Sequence, residues 1–215
     1  GPARLQPSEI GKIALALLLA KYLCRYPPVT FAAFSSGALL AGLSCLLVLA
    51  QPDMGSALVY AVMIFVGLVV AGTPKRFLAG VCALGLVSLP VGWQFLKEYQ
   101  KMRILVFLDP SVDPLGAGYN VIQSRIAVGS GGLWGKGFMH GLQSKLRFLP
   151  EPHTDFAFSV FSEEFGFVGT VLVLALFSLL LWRCIEVGLR SKDARAKILV
   201  AVLSSWIWFQ MAEGI

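Results

Sequence analysis

The sequence predicts an all-α fold, a polytopic transmembrane helical bundle, and three observations predict it. Of its 215 residues, 57% are apolar and only 14% charged, against about 45–50% and about 25% in soluble domains. The apolar residues fall in runs close to the ~20 residues that a membrane-spanning helix needs, and mean hydropathy is +0.75. Among the short connections between those runs, Lys and Arg collect on one set, and the others hold only Arg4 and Lys12 near the first run. Composition alone excludes an ordinary soluble globule and a disordered chain.

In chain order, about six spans are expected. Residues 10–23 are apolar but carry Lys12 and Lys21. Residues 31–50, 54–73 and 77–96 are free of internal charge, and so is 165–182, which extends upstream through Phe156 with Glu163 and Glu164 inside it. The last run, 198–215, stops in mid-pattern at Ile215, as expected of a piece of a longer chain, and the residues before the first run are not expected to be a signal peptide. Each run is read as a helix, because an open strand would leave backbone groups unpaired in hydrocarbon. Small residues at Ser35–Ser36–Gly37–Ala38 and Ala79–Gly80 suit close helix packing.

Charge assigns the sides. Lys21 and Arg25, Lys75 and Arg76, and Arg183, Arg190, Lys192, Arg195 and Lys197 occupy one set of connections. The positive-inside rule makes that set cytoplasmic. The turn 51–53 and the long stretch 97–155 are then extracytoplasmic. The net charge of +6 is accounted for by this topology, with no nucleic-acid partner. Cys24, Cys45, Cys82 and Cys184 lie in or at the ends of apolar runs and read as buried small hydrophobes, not as a disulfide or zinc framework.

The stretch 97–155 is far longer than the ~12–15 residues of an ordinary loop. It is also rich in apolar residues such as 104–106, 126–128 and 138–139. Amphipathic segments at the membrane surface are expected there rather than disorder.

Several ionisable residues stand where chemistry needs them. Asp155 follows Pro150–Glu151–Pro152–His153–Thr154, where the loop returns to the membrane. On a helix starting near Thr154, Asp155, Ser159, Ser162 and Gly166 share one face, with Glu163 at its edge. Either Thr154 or Asp155 caps that helix, or Asp155 is a partly desolvated carboxylate suited to act as a base. Glu9 and Lys12 in Ser8–Glu9–Ile10–Gly11–Lys12 are spaced for a local ion pair behind a Ser8 cap, or form a functional pair inside a membrane segment. Asp53, in Gln51–Pro52–Asp53–Met54–Gly55, is a helix cap or a site residue. The run from Gly129 to Gly137 lacks the GxxxxGK[ST] pattern and reads as a flexible turn. Its amides, with Lys136 nearby, also suit an anionic headgroup. Arg125, Lys145 and Arg147 add charge to the same stretch, and His140 and His153 form no metal-binding pair.

In combination these motifs are far more specific than singly. Gln6–Pro7–Ser8–Glu9–Ile10–Gly11–Lys12, Gln51–Pro52–Asp53–Met54–Gly55, Asp113–Pro114–Leu115–Gly116–Ala117–Gly118–Tyr119, Gln123–Ser124–Arg125, Gly129–Ser130–Gly131–Gly132, Phe148–Leu149–Pro150–Glu151, His153–Thr154–Asp155–Phe156 and Glu163–Glu164–Phe165–Gly166 occur in this order. The series resembles the SEDS family (shape, elongation, division, sporulation) over almost the whole chain, its rod-shape branch more than its division branch. Pro152 and Leu142 depart from the commoner basic residue and Thr.

The resemblance implies a ten-helix fold of which residues 1–215 are a partial domain, matching roughly the fourth to ninth helices, with 97–155 as its large extracytoplasmic loop. A fragment without the neighbouring helices is expected to be inactive alone. The resemblance also implies an inverting peptidoglycan glycosyltransferase in the bacterial cytoplasmic membrane. Its substrate would be lipid II, its by-product undecaprenyl pyrophosphate, and its partner a class B penicillin-binding transpeptidase. Asp155 matches the family's essential loop aspartate, and Glu9 and Lys12 match functionally important positions and are expected to act with it in catalysis. Asp53 matches a further important one, and Arg125, Lys136 and Lys145 are expected to contact substrate. A divalent cation could share in stabilising the leaving group, although no ligand set in the sequence demonstrates one. Two rival classes are a lipid-linked precursor flippase and a non-catalytic scaffold for the transpeptidase. A flippase would place its polar groups near the midplane of repeated halves, whereas here they cluster at one face.

Overall fold

The computed structural model describes residues 7–51, 54–114, 116–141 and 156–214. The described elements are helices α1 (Pro7–Arg25), α2 (Phe31–Leu49), α3 (Met54–Val70), α4 (Lys75–Phe95) and α5 (Glu98–Leu108), then a 3-10 turn (Pro110–Val112), and α6 (Ala117–Ser130), α7 (Ala157–Arg190) and α8 (Ala194–Gly214). The expected runs all become helices. Of these, α2, α4 and α7 are long and apolar enough to cross a membrane, and α3 is a shorter apolar helix.

The chain divides into two compact units, one within residues 1–85 and 179–213, the other within 86–178 and 214–215. In the first, Leu15, Ala16, Leu19, Ala20 and Leu23 of α1 form one buried stripe, with the i, i+4 spacing of a helix face. That stripe packs on Ala41 and Val48 of α2, on Val59, Tyr60, Met63 and Leu68 of α3, and on Ile198 and Val202 of α8. Close approach needs small residues here, since lipid tails are as apolar as the core and packing itself must hold the helices together. Gly37 supplies it: a Cβ there would lie 3.3 Å from Leu23 Cδ2. Beside it the Tyr22 hydroxyl donates to Ser36 Oγ at 3.0 Å.

Two expectations are corrected on α4. It buries none of its residues among the described ones, so Ala79–Gly80 packs on no described helix, and no described atom lies within 4 Å of where a Gly80 Cβ would sit. For the same reason Cys82 is exposed rather than a buried hydrophobe, while Cys24, Cys45 and Cys184 are half-buried.

In the second unit the long stretch holds α5, the 3-10 turn and α6, which pack on one another. Asp109 starts the turn, accepting from the Ser111 hydroxyl at 2.6 Å and its amide at 2.9 Å. Those bonds hold its carboxyl below the ordinary range, with a smaller pull from the Arg125 charge.

Candidate active-site elements

At the start of α1, Lys12 Nζ donates to Glu9 Oε1 at 2.6 Å. The lysine is only 2% exposed and the glutamate 43%, so the carboxylate stands between the buried ammonium and the surface. The ammonium also lies 5.4 Å from the centre of the Trp206 ring of α8, within cation–π range. Burying an ammonium is costly unless it is paired, and these two partners are what the fold supplies. Ser8 is a buried residue of the helix rather than its cap, and its carbonyl accepts from Tyr60 Oη of α3 at 3.0 Å.

That contact depends on Gly11. A Cβ there would lie 2.1 Å from Tyr60 Oη but 3.5 Å from the ring carbon bearing it. Gly11→Ala should therefore lower the thermal unfolding temperature of the full-length protein, and Tyr60→Phe should cost about 1 kcal/mol through the lost hydrogen bond. Adding Tyr60→Phe to Gly11→Ala should recover stability, because the hydroxyl alone makes the clash. Simple additivity of the two losses would contradict this geometry.

At the same end of α1 an open cavity of about 390 Å³ is lined by Pro7, Ser8, Gly11 and Leu18 of α1, by Ser44, Leu47 and Gln51 of α2 and its C-terminal turn, and by Tyr60, among others. Its walls are mostly aliphatic, with hydroxyl and amide groups at intervals.

The second unit contains a different construction. The helix α7 is broken at Gly166, whose φ of 66° and ψ of −165° lie outside the helical region and are open essentially to glycine alone. In an unbroken helix the amides of Phe167 and Val168 would donate to the carbonyls of Glu163 and Glu164. Here they donate instead to Gly132 at 2.8 Å and Leu133 at 3.1 Å, while the two vacated carbonyls accept from the amides of Lys136 and Gly137, both at 3.0 Å. The glycine-rich run and the break are thus one interlock in which each partner satisfies the other. Close approach demands the glycines: a Cβ on Gly131 would lie 2.2 Å from Ser162 O, one on Gly135 2.1 Å from Glu164 O, and one on Gly166 2.2 Å from Gly135 N. The amides of Lys136 and Gly137 are committed to protein carbonyls, and that of Gly135 donates to Gly131 O at 2.8 Å.

Side chains reinforce the interlock. Lys136 Nζ lies 2.7 Å from Glu163 Oε1 and 2.7 Å from Ser130 Oγ. Glu163 is fully buried and Lys136 is 27% exposed. The polar face expected on α7 does turn inward: Ser159 and Ser162 are buried, and Ser159 Oγ meets Ser124 Oγ of α6 at 2.8 Å.

Of the expected site residues, Glu9 and Lys12 come together in the first unit. Arg125 is exposed on α6, and Lys136 is held by Glu163 in the second. Asp53, Lys145 and Asp155 lie outside the described residues. Sequence reasoning missed Tyr60 and Trp206, whose contacts with α1 come from distant segments. Among the described residues no three His, Cys, Asp or Glu side chains cluster as a metal site would require.

Comparison with known proteins gives a consistent result. The family model described as "Cell cycle protein" (FtsW, RodA, SpoVE) matches residues 1–215. The peptidoglycan glycosyltransferase MrdB of Escherichia coli (strain K12) is 42% identical over 205 residues, 94% of this chain and 55% of that protein. Stage V sporulation protein E of Bacillus subtilis (strain 168) is 39% identical over 221 residues, 100% of this chain and 59% of that protein. A solved structure described as "Structural coordination of polymerization and crosslinking by a peptidoglycan synthase complex" superposes with a TM-score of 0.75 at 34% identity, covering 98% of this chain and 58% of that one. A mutant of the Thermus thermophilus rod-shape-determining protein RodA gives 0.62 at 29% identity, covering 99% and 53%. The chain spans a little over half the length of these relatives. It belongs to the FtsW/RodA/SpoVE family of cell cycle proteins, the family its motifs resemble.

Proposed function

We propose that the full-length protein containing this chain is a peptidoglycan glycosyltransferase that polymerises lipid II at the outer face of the cytoplasmic membrane, for cell elongation and shape. The observation that carries this reading is the likeness, along nearly the whole chain, to a protein named a peptidoglycan glycosyltransferase. The pair of buried Lys12 and Glu9, at the end of α1 that holds an amphiphilic cavity, supports it.

In the reaction, the 4-hydroxyl of the acceptor sugar attacks the anomeric carbon of the donor sugar. The bond from that carbon to the pyrophosphate oxygen breaks, and undecaprenyl pyrophosphate leaves with the electron pair. Asp155, which immediately precedes the turn into α7, takes the hydroxyl proton, a contribution typically of about 10²–10⁴-fold. Lys12 lends positive charge to the departing pyrophosphate, and Glu9 fixes its position. Asp53, Arg125 and Lys145 bind substrate. Lys136, already paired with Glu163, acts through the position of α7. The positive-inside rule supports an outer-face position for Glu9, Lys12, Asp53 and Asp155. A class B penicillin-binding transpeptidase is the partner, in keeping with the synthase complex among the similar structures.

The test uses the full-length protein with its transpeptidase and labelled lipid II. Wild type should form glycan chains, and Asp155→Asn, folded and still bound to the transpeptidase, should form at least about a hundredfold fewer. Equal polymer from both would remove Asp155 from the chemistry. No polymer from either would favour transport or scaffolding.

A further inference from the structure

We propose that the first unit carries a binding site for the phosphate headgroup of an anionic membrane lipid, at the end of the helices opposite the Glu9–Lys12 pair. A cleft of about 340 Å³ is lined there by Lys21, Cys24 and Arg25 of α1 and by Arg195 of α8. Three cations from two helices converge on it, and among the described residues no carboxylate lines it.

Some other basic residues are neutralised locally: Arg183 and Arg190 both hold Glu186, and Lys101 holds Glu98. Among the described residues, Lys21, Arg25 and Arg195 form no ion pair, and Arg25 lies over the Tyr26 ring, 5.7 Å from its centre. Asp193, the nearest acid along the chain, caps α8 by accepting from the Arg195 amide at 2.9 Å.

Helix polarity separates two of the three. A cation in the last turn of α1, as Arg25 is, is favoured by the helix dipole. Arg195 sits in the first turn of α8, where the dipole disfavours a cation. An anion in the cleft would reverse that penalty and would accept hydrogen bonds from both guanidinium groups. A lipid phosphate is the anion that this position supplies. Basic pockets between helix ends on the cytoplasmic side are suited to headgroups, and the charge distribution assigns this end to that side. The leaflet rests on that orientation, whereas the site itself does not depend on the proposed glycosyl transfer.

The experiment is native mass spectrometry of the full-length protein with phosphatidylglycerol and, separately, phosphatidylcholine of the same chains. Wild type should prefer phosphatidylglycerol by about tenfold or more. Lys21→Gln/Arg25→Gln/Arg195→Gln should lose that preference, and Arg195→Gln alone, which relieves a dipole conflict, should lose part of it while keeping or raising the unfolding temperature. The control Lys75→Gln/Arg76→Gln/Arg183→Gln removes the same charge and should keep it. Equal loss in the control, or no preference in wild type, would overturn the site. Displacement of the lipid by millimolar inorganic phosphate would overturn the lipid assignment in favour of a soluble phosphate.

Discussion

Gly135→Ala should destabilise the full-length protein by roughly 3–5 kcal/mol, while Gly129→Ala, six residues earlier in the same glycine-rich run, should be neutral or stabilising. Gly135 has a φ of 79°, which costs a side-chain-bearing residue about 1–2 kcal/mol. Its new Cβ would also lie 2.1 Å from the carbonyl oxygen of Glu164, a backbone atom that cannot swing away. Separating the two strands of the interlock strips partners from the carbonyls of Glu163 and Glu164, and each buried orphan costs about 1–3 kcal/mol. Gly129 lies inside α6, and among the described residues nothing stands within 4 Å of its would-be Cβ, so alanine gains the usual ~0.5–1 kcal/mol of helix propensity. Thermal unfolding of both variants in detergent checks the contrast. Similar unfolding temperatures for the two would mean that the interlock does not hold this region together.

Lys136→Met should cost more than about 1 kcal/mol, because it removes the ammonium 2.7 Å from the fully buried Glu163 carboxylate. The double variant Lys136→Met/Glu163→Leu should recover most of that loss, since a buried ion pair replaced by apolar groups of similar volume is often neutral or better. A loss below about 1 kcal/mol in the single variant would be the behaviour of an exposed pair, and would contradict the burial of Glu163. The same two variants separate stability from activity in the lipid II assay. A double variant that is stable yet slow would show that the pair positions the segment ahead of α7.

The spans were legible because lipid imposes one simple demand, an apolar run of sufficient length, and α2, α4 and α7 satisfy it openly. The Glu9–Lys12 pair was legible for a similar reason, since partners three residues apart on a helix are neighbours by construction. Trp206 and Tyr60 complete that site from segments far along the chain, and no local pattern announces them. The break in α7 was hidden as well: Gly166 lies in a hydrophobic context that reads as continuous helix. Its cause is the run 131–137, some thirty positions away. The glycines there were visible, but their role as points of backbone contact follows only once the second strand of the interlock is seen. Cys82 was misjudged because apolar surroundings in sequence do not distinguish a residue facing protein from one on a helix that buries nothing.

Surface loops are ordinarily where a protein best tolerates a residue more or less. The run from Gly132 to Gly137 has lost that freedom. Gly132 and Leu133 accept from Phe167 and Val168 at one end, and Lys136 and Gly137 donate to Glu163 and Glu164 at the other. Both ends are therefore counted off against α7 backbone on the two sides of the Gly166 break. An inserted or deleted residue between Leu133 and Lys136 would throw one pair of bonds out of step with the other, and no side-chain choice could restore it. This stretch should accept substitutions at exposed Trp134 more readily than any change in its length.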